Sequence, residues 1–182
     1  IRETGNRWDR SSSWPLYDVS HHRNVFAKIF GEEFYADMMV LDSIILQRNR
    51  HWGNFGFLFN TETGEYIKPA PLHAHGYSLL VTNRDLESFL QVVREKDWDG
   101  NSKYLQFNEM AYGFVSERHI PILEKLKSFE FRQPEDAELG IKQHALDIMG
   151  EIIRIRSEKA IQLFQERTRH TRRFSIGSAQ IN

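Results

Sequence analysis

The sequence feature that most restricts the fold is a β-hairpin signal in the first half of the chain. Residues 55–59 form a short alternating run, residues 60–64 form a polar turn that ends in glycine, and residues 66–68 form a second short run. Two such runs joined by a glycine-containing turn are typical of a hairpin. Pro69 and Pro71 are expected to stop the second strand, because proline cannot donate to a sheet ladder.

A helical pattern precedes the hairpin, in residues 33–46. Apolar residues recur there at helical spacing, at Phe34, Met38, Leu41 and Ile45. Most of the opposite side is apolar as well, which predicts a helix that is central and buried.

Helical patterns also follow the hairpin. We predict helices over residues 84–95, 103–114 and 121–129, and a last helix that begins near Pro134 and can break at Gly140 or Gly150. Asn83 is the expected N-cap of the first of these helices, with Asp85 in its first turn. The predicted fold class is mainly α with a small β-hairpin.

Length and composition predict one domain. The chain has 182 residues, a formal net charge of −1 and no cysteine. Disulfides and thiolate chemistry are therefore excluded, and a reducing cytoplasm fits. We expect an irregular N-terminal arm over residues 1–20, a helical domain over 21–166 and a basic, flexible tail over 167–182. No apolar run approaches the roughly 20 residues that span a bilayer, so no membrane partner is expected.

Two polar loops flank the hairpin and carry the residue types that chemistry needs. The first loop lies in residues 46–55 and the second in residues 70–76, after the second strand. A hairpin returns the chain to where it started, so both loops should meet at one edge. Asp42, about two helical turns before Asn49, either supports the first loop by hydrogen bonding or caps a polar patch.

The segment from residue 37 to residue 80 resembles the catalytic half of HipA-like serine/threonine kinases. In that family a helix ends in a loop of the form D-R-H-x-x-N, a hairpin follows, and a loop with D-x-G comes next. The match consists of Arg50, His51, Asn54, the hairpin and the later Gly76. The resemblance implies the fold of a protein-kinase-like C-terminal lobe for residues 21–166.

The resemblance also assigns roles to the loop residues. The first Asp of the family orients the substrate hydroxyl and accepts its proton, while the Asn and the second Asp hold Mg²⁺. Here Asn49 stands at the position of the catalytic Asp and Ala74 at that of the metal-binding Asp, while Asn54 remains as a metal ligand. Asn49 lacks charge and basicity, and Ala74 offers no oxygen to a hard cation. His51 is expected to make structural hydrogen bonds.

The resemblance therefore implies a Ser/Thr protein kinase that is inactive in this form. Loss of a catalytic base alone costs on the order of 10²–10⁴ in rate. Asn49 and Ala74 have two open explanations, an engineered inactive form and a natural pseudokinase. The alternative function is an interaction scaffold that binds a partner protein without catalysis. The family contains bacterial toxins of toxin–antitoxin pairs and effectors, which implies a protein substrate or an antitoxin-like partner, in the cytoplasm or delivered as an effector.

The resemblance implies ATP and Mg²⁺ as cofactors, and a separate N-terminal lobe that clamps the nucleotide. The 48 residues before Asn49 contain no glycine-rich run, and Lys28 is their only lysine. Because the chain begins at Ile1 rather than Met, we expect a piece of a longer protein. Three explanations for the missing lobe stay open: it lies on another chain, it has been removed, or this protein does not have it. ATP binding by this chain alone is not expected.

Two further patterns leave alternatives open. His73 and His75 place two rings on one face of an extended segment, and with His51 they form a hypothetical three-histidine metal site. The alternative is a pair of loop histidines in solvent. The basic run in residues 167–173 either contacts nucleic-acid phosphates or ends a solvated helix, and the second interpretation is favoured because no aromatic platform accompanies it.

Overall fold

The fold alternates helices with one small sheet. A computed structural model describes residues 28, 31–50, 56–73, 75–79, 85–95, 98–102, 105–133 and 141–178, with the backbone alone for residues 172–178. The elements are α1 (Glu32–Ile44), β1 (Phe57–Phe59), β2 (Tyr66–Pro69), α2 (Leu86–Arg94), α3 (Phe107–Phe114), α4 (Ile120–Leu126) and α5 (Gln143–Ser178). Short 3₁₀ helices cover His75–Tyr77 and Glu117–His119. The described chain is mainly helical with a small two-stranded antiparallel sheet, as predicted.

Helix α1 is central, in agreement with its apolar pattern. It begins after Gly31, whose φ of 86° is readily adopted only by glycine, and Glu32 and Glu33 in the first turn complement the helix dipole. Its core residues are Tyr35, Met38, Met39, Val40 and Ile44. The helix ends two residues before the predicted end at residue 46.

The end of α1 is made by a left-handed residue. Leu46 has a φ of 53° and is fully buried. The N–H of Gln47 then donates to the carbonyl of Asp42 at 2.9 Å, which is the six-to-one bond of a Schellman motif. A non-glycine residue in this conformation costs roughly 1–2 kcal/mol, so burial of the Leu46 side chain must offset that cost.

The hairpin forms where the sequence predicted it. Phe57 pairs with Pro69 and Phe59 with Tyr66, with a register shift between Leu58 and Phe59. The turn is stabilised by the Asn60 side chain, which accepts the N–H groups of Glu62 and Thr63. Pro69 is the last residue of β2, so the second strand includes the proline that was expected to stop it.

Capping side chains shift the helix starts away from the periodic pattern. Helix α2 begins at Leu86 because Asp85 is the N-cap and accepts the N–H of Ser88 at 3.0 Å, so placing Asp85 inside the first turn was wrong. The other predicted cap, Asn83, lies outside the described residues. Helix α3 begins four residues later than predicted, where Glu109 accepts the N–H of Gln106 at 3.1 Å.

The last two helices also differ from their predicted limits. Helix α4 ends at Leu126 rather than near residue 129. Helix α5 is continuous through Gly150 and begins at Gln143, while the predicted start near Pro134 and the possible break at Gly140 lie outside the described residues. No described helix is long and apolar enough to cross a membrane.

The segment from residue 167, predicted to be a basic and flexible tail, begins inside the last helix. Helix α5 continues to Ser178, and Arg167 lies within it. The Arg167 guanidinium donates to the carbonyls of Tyr112 and Val115 near the end of α3, and it packs over the ring of Phe164 at 5.6 Å. These contacts hold this part of α5 against the domain. The predicted arm over residues 1–20 lies outside the described residues.

Helix α5 is the element against which α1, α2, α3 and α4 all pack. Its residues belong to both hydrophobic clusters of the core: Ile152 lies with Met38 and Phe107, and Ile153 lies with Val40 and Leu123. Because α1 also contributes to both clusters, it is enclosed by the other helices. The C-terminal end of α1 is therefore fixed by the core.

A close approach at Gly100 generates a stability prediction. A Cβ at Gly100 would lie 2.7 Å from the Trp98 ring and 3.3 Å from Phe107. Gly100→Ala is expected to lower the free energy of unfolding by about 1–3 kcal/mol in urea unfolding, because the packed rings must move. Gly113→Ala, where nothing lies within 4 Å of the added carbon, should be neutral or stabilise α3 by up to about 1 kcal/mol. Equal effects of the two changes would contradict this packing.

Candidate functional site

The two polar loops meet next to the end of α1, as the topology predicted. The N–H of Leu79 donates to the carbonyl of Ile45 at 2.7 Å, which joins the segment after the hairpin to the helix end. The first loop then continues through Asn49 and Arg50 toward the hairpin. Residues from two separate segments of the chain thus line one region.

A buried ion pair is the main contact of this region. Arg50 donates from Nε to Asp42 Oδ2 at 2.7 Å and from Nη2 to Asp42 Oδ1 at 2.6 Å. Asp42 is completely buried and Arg50 is only 4% exposed. This two-pronged geometry uses both carboxylate oxygens and the Nε–Nη2 edge of the guanidinium. The prediction that Asp42 supports the loop by hydrogen bonding is therefore confirmed.

Arg50 also reaches the second loop. Its Nη1 donates to the carbonyl of His73 at 3.2 Å, and its Nη2 lies 3.4 Å from His75 Nδ1. Because a guanidinium can only donate, this contact assigns Nδ1 of His75 as the acceptor. One side chain therefore connects α1, the first loop and the second loop.

The electrostatics of the pair are set by burial and by its neighbours. Burial raises the pKa of the Asp42 carboxyl above its ordinary value, whereas the hydrogen bond and charge of Arg50 act in the opposite direction. Protonation of His75 would lower the pKa of Asp42 as well, to a smaller extent than Arg50 does. A buried carboxylate in this position is stable only because its counter-ion is buried with it.

The backbone at Asn49 is held by Gln47, three residues after the end of α1. The N–H of Asn49 donates to Gln47 Oε1 at 3.1 Å, and Gln47 itself is fully buried. Asn49 is half-buried, directly before Arg50 in the chain. The position that matches the catalytic Asp of the kinases is thus placed next to the ion pair.

The other predicted site residues fall differently. His51, Asn54 and Ala74 lie outside the described residues, so their roles stay predictions. Among the residues that the structure describes, no group of three or more His, Cys, Asp or Glu side chains could hold a metal ion. The three-histidine hypothesis includes His51 and therefore stays a hypothesis. The contact of His75 with the cationic Arg50 disfavours a second cation at its Nδ1.

The residues present do not fit a Mg²⁺ site of the kinase type. Such a site needs a carboxylate, and Ala74 offers none at the position of the metal-binding Asp, which leaves the neutral amide of Asn54 as the matching ligand. The carboxylate of Asp42 is near in the chain, but both of its oxygens accept from Arg50. The site as it stands can position two loops but cannot bind a divalent cation in the manner of a kinase.

Sequence reasoning missed Gln47 and the full reach of Arg50. A buried glutamine at a helix end has no recognisable pattern in the sequence. Arg50 was part of the loop motif, but its partner Asp42 lies eight residues away across a left-handed turn. The two side chains come together because Leu46, which lies between them in the chain, has a left-handed conformation.

A separate cleft of about 240 Å³ lies at the opposite end of α1. Its lining includes Glu33, Tyr35, Phe114, Arg118 and Arg167. Since α1 has 13 residues, this cleft is roughly 20 Å along the helix from the two loops. It is therefore not part of the loop site.

Comparison of the chain with models of protein families, with curated proteins and with solved structures found no match. The resemblance to HipA-like kinases therefore depends on the loop residues and their order along the chain.

The buried pair predicts a large stability loss when one partner is removed. Arg50→Met should lower the free energy of unfolding by about 3–5 kcal/mol in urea unfolding, because an uncompensated carboxylate stays buried. The matched control is Arg94→Met, which removes an exposed pair with Glu151 and should cost less than about 1 kcal/mol. Similar losses in both variants would show that the Asp42–Arg50 pair is not a buried pair in solution.

The same variant should respond to pH. Without Arg50, nothing of comparable strength opposes burial, so the pKa of Asp42 rises further. A carboxyl whose folded-state pKa lies above its unfolded value binds more protons in the folded state, so stability increases as pH falls through the folded-state pKa. The loss caused by Arg50→Met should therefore shrink between pH 7 and pH 5. Adding Asp42→Asn to Arg50→Met should remove this pH dependence. If the stability loss of the single variant Arg50→Met is the same at pH 7 and pH 5, the explanation is refuted.

Proposed function

We propose that this chain is the C-terminal lobe of a HipA-like serine/threonine protein kinase in a catalytically inactive form. The observation that carries the proposal is the Arg50 guanidinium, which binds Asp42 at the end of α1 and the carbonyl of His73 in the second loop. It connects the two loops in which the resemblance locates the catalytic and metal-binding positions.

The chemistry of phosphoryl transfer explains why such a connection supports the proposal. A kinase must hold its base and its metal ligands in a fixed relation, because catalysis is mostly positioning and electrostatic stabilisation. The first loop carries Asn49 and the second carries Ala74, on the two sides of the hairpin. The order of helix, loop, hairpin and loop is the order of the family motif.

The inactive state follows from the residue types at these two positions. Asn49 can accept a hydrogen bond from a substrate hydroxyl but has no useful basicity. Ala74 leaves the metal-binding position without a ligand atom. The active form would transfer the γ-phosphate of ATP to a Ser or Thr of a protein. By the resemblance, its partners are a protein substrate or an antitoxin-like protein of a bacterial toxin–antitoxin pair.

Our second candidate is a natural pseudokinase, which also fits two loops that are held together without carboxylates at positions 49 and 74. The Asp42–Arg50 pair needs no carboxylate at position 49 or 74. A pseudokinase would use the same loops to bind a partner or a nucleotide without turnover. Calorimetric titration with ATP and Mg²⁺ separates a regulatory pseudokinase from a scaffold. Nucleotide binding favours the regulatory role, and absence of nucleotide binding in the full protein favours the scaffold.

Restored carboxylates give the test of the proposal. The double change Asn49→Asp and Ala74→Asp should bind Mn²⁺, measured by electron paramagnetic resonance, at least about tenfold more tightly than the chain as given. Ala74→Asp supplies a hard oxygen ligand at the metal-binding position, and Asn49→Asp adds negative charge on the adjoining loop. The matched control, Thr61→Asp and Thr63→Asp, adds the same charge on the exposed hairpin turn and should gain little. Equal gains in the two variants would mean that charge alone attracts the ion.

The restored variant should also transfer phosphate. Assayed with its nucleotide-binding lobe and γ-labelled ATP, it should label itself, whereas the chain as given should not. A restored protein that binds the metal and the nucleotide but stays unlabelled would overturn the kinase assignment in favour of an interaction module.

A further inference from the structure

Arg156, in the middle of α5, is an unusual member of the core. It is only 2% exposed and is the largest of the fully buried side chains in the described structure. Burial lowers the pKa of its guanidinium to about 10, although the nearby Asp99 opposes this change. Arginine is almost never fully buried unless paired, so its contacts call for a specific explanation.

Arg156 joins the end of α1 to α3 and to Trp98. Its Nε donates to the carbonyl of Ser43 at 3.1 Å, and its Nη1 donates to Asn108 Oδ1 at 2.8 Å. The guanidinium also packs over the rings of Trp98 at 5.7 Å and Phe107 at 6.0 Å. A cation here complements the C-terminal dipole of α1.

The carbonyl of Ser43 is a group that the helix end leaves available. In a Schellman motif this carbonyl accepts the N–H of the left-handed residue, here Leu46. The other bond of that motif, from the N–H of Gln47 to the carbonyl of Asp42, is present among the described residues. Arg156 instead supplies a donor to Ser43 from another helix. A contact between α5 and α1 thus completes the turn that starts the first loop.

The contacts of Arg156 are incomplete in a way that argues against a purely stabilising role. Its Nη2 has no hydrogen-bond partner among the described residues, although it is buried. An apolar side chain of similar length would fill the same space without desolvating a charge, and such replacements are often neutral or stabilising. What an apolar side chain cannot supply is the hydrogen bond to Ser43.

We propose that Arg156 is a positioning residue that fixes the end of α1 through the Ser43 carbonyl and thereby holds residues 45–50 against the second loop. Ser43 directly follows Asp42, so Arg156 and Arg50 bind two consecutive residues at the end of α1. This inference deepens the proposed function. The positioning of residues 45–50 does not depend on that function, whereas the chemical role of the loop does.

Hydrogen exchange of the chain as given tests the positioning directly. In Arg156→Met, the amides of Gln47 and Leu79, which bond to Asp42 and Ile45, should exchange at least about tenfold faster. Amides in the middle of α5 should keep their rates. Arg156→Lys, which can still donate to Ser43, should recover part of the protection.

The matched control is Arg154→Met on the same helix. Arg154 Nη1 donates to the carbonyl of Phe129 at 2.7 Å, far in the chain from the first loop. This variant should leave the amides of Gln47 and Leu79 unchanged. The proposal is overturned if Arg156→Met leaves these amides unchanged, or if it accelerates all core amides equally, as a general loss of stability would. Should Arg156→Met fail to fold, Arg156→Lys decides by the same comparison.

A kinetic measurement connects the positioning to the proposed chemistry. In the restored Asn49→Asp and Ala74→Asp protein, adding Arg156→Met should lower kcat about tenfold or more, with KM for ATP little changed, because the loop is misplaced while nucleotide contacts remain. Arg156→Lys should recover part of this loss in kcat. Lowered thermal stability with unchanged kcat would show a structural role only. If the restored protein is inert, the proposed function fails, whereas the exchange result still decides the role of Arg156.

Discussion

The buried pair between Asp42 and Arg50 is the interaction on which the arrangement of this region depends. It joins residues on the two sides of a helix end, and the same guanidinium extends to the carbonyl of His73 in a loop 23 residues further along the chain. Two ionised groups are kept out of water here, which is costly unless their geometry is good and their other hydrogen bonds are made. Arg50 meets this condition by donating to three different residues. The buried pair therefore fixes a particular arrangement of the loops and does not only contribute to stability.

A second arginine extends the same principle into the core. Arg156 belongs to α5, against which the other α-helices of the described residues pack, and it binds the residue next to Asp42. The end of α1 is therefore held from the loop side by one guanidinium and from the core side by another. Hydrophobic packing alone would place α1 approximately, because apolar contacts are not directional. Hydrogen bonds to a carboxylate and to a carbonyl fix the helix end in direction as well as in position.

The sequence predicts the parts of this fold that depend on local patterns. Alternation and a glycine-ended turn sufficed for the hairpin, and continuous apolar residues on both sides sufficed for a central α1. Helix starts were less accurate because they depend on single capping contacts, such as that of Asp85 with Ser88. The run of basic residues after residue 166 gives no sign that Arg167 binds carbonyls of Tyr112 and Val115 near the end of α3. In the candidate site, Asp42 and Arg50 could each be noticed, but their pairing requires the left-handed conformation of Leu46, which no local preference favours.

Under the proposed function, the same contacts explain how this region can keep its structure without the carboxylates of an active kinase. Asn49 is held through its backbone N–H, a group that aspartate at this position would supply equally well. The ion pair beside it uses Asp42 and Arg50, neither of which is a position where chemistry is lost. A substitution at position 49 can therefore remove basicity while the backbone contact that places this residue is kept. Positioning and reactivity reside in different residues here, and for this reason the loops can keep the order of a kinase motif while lacking its reactive groups.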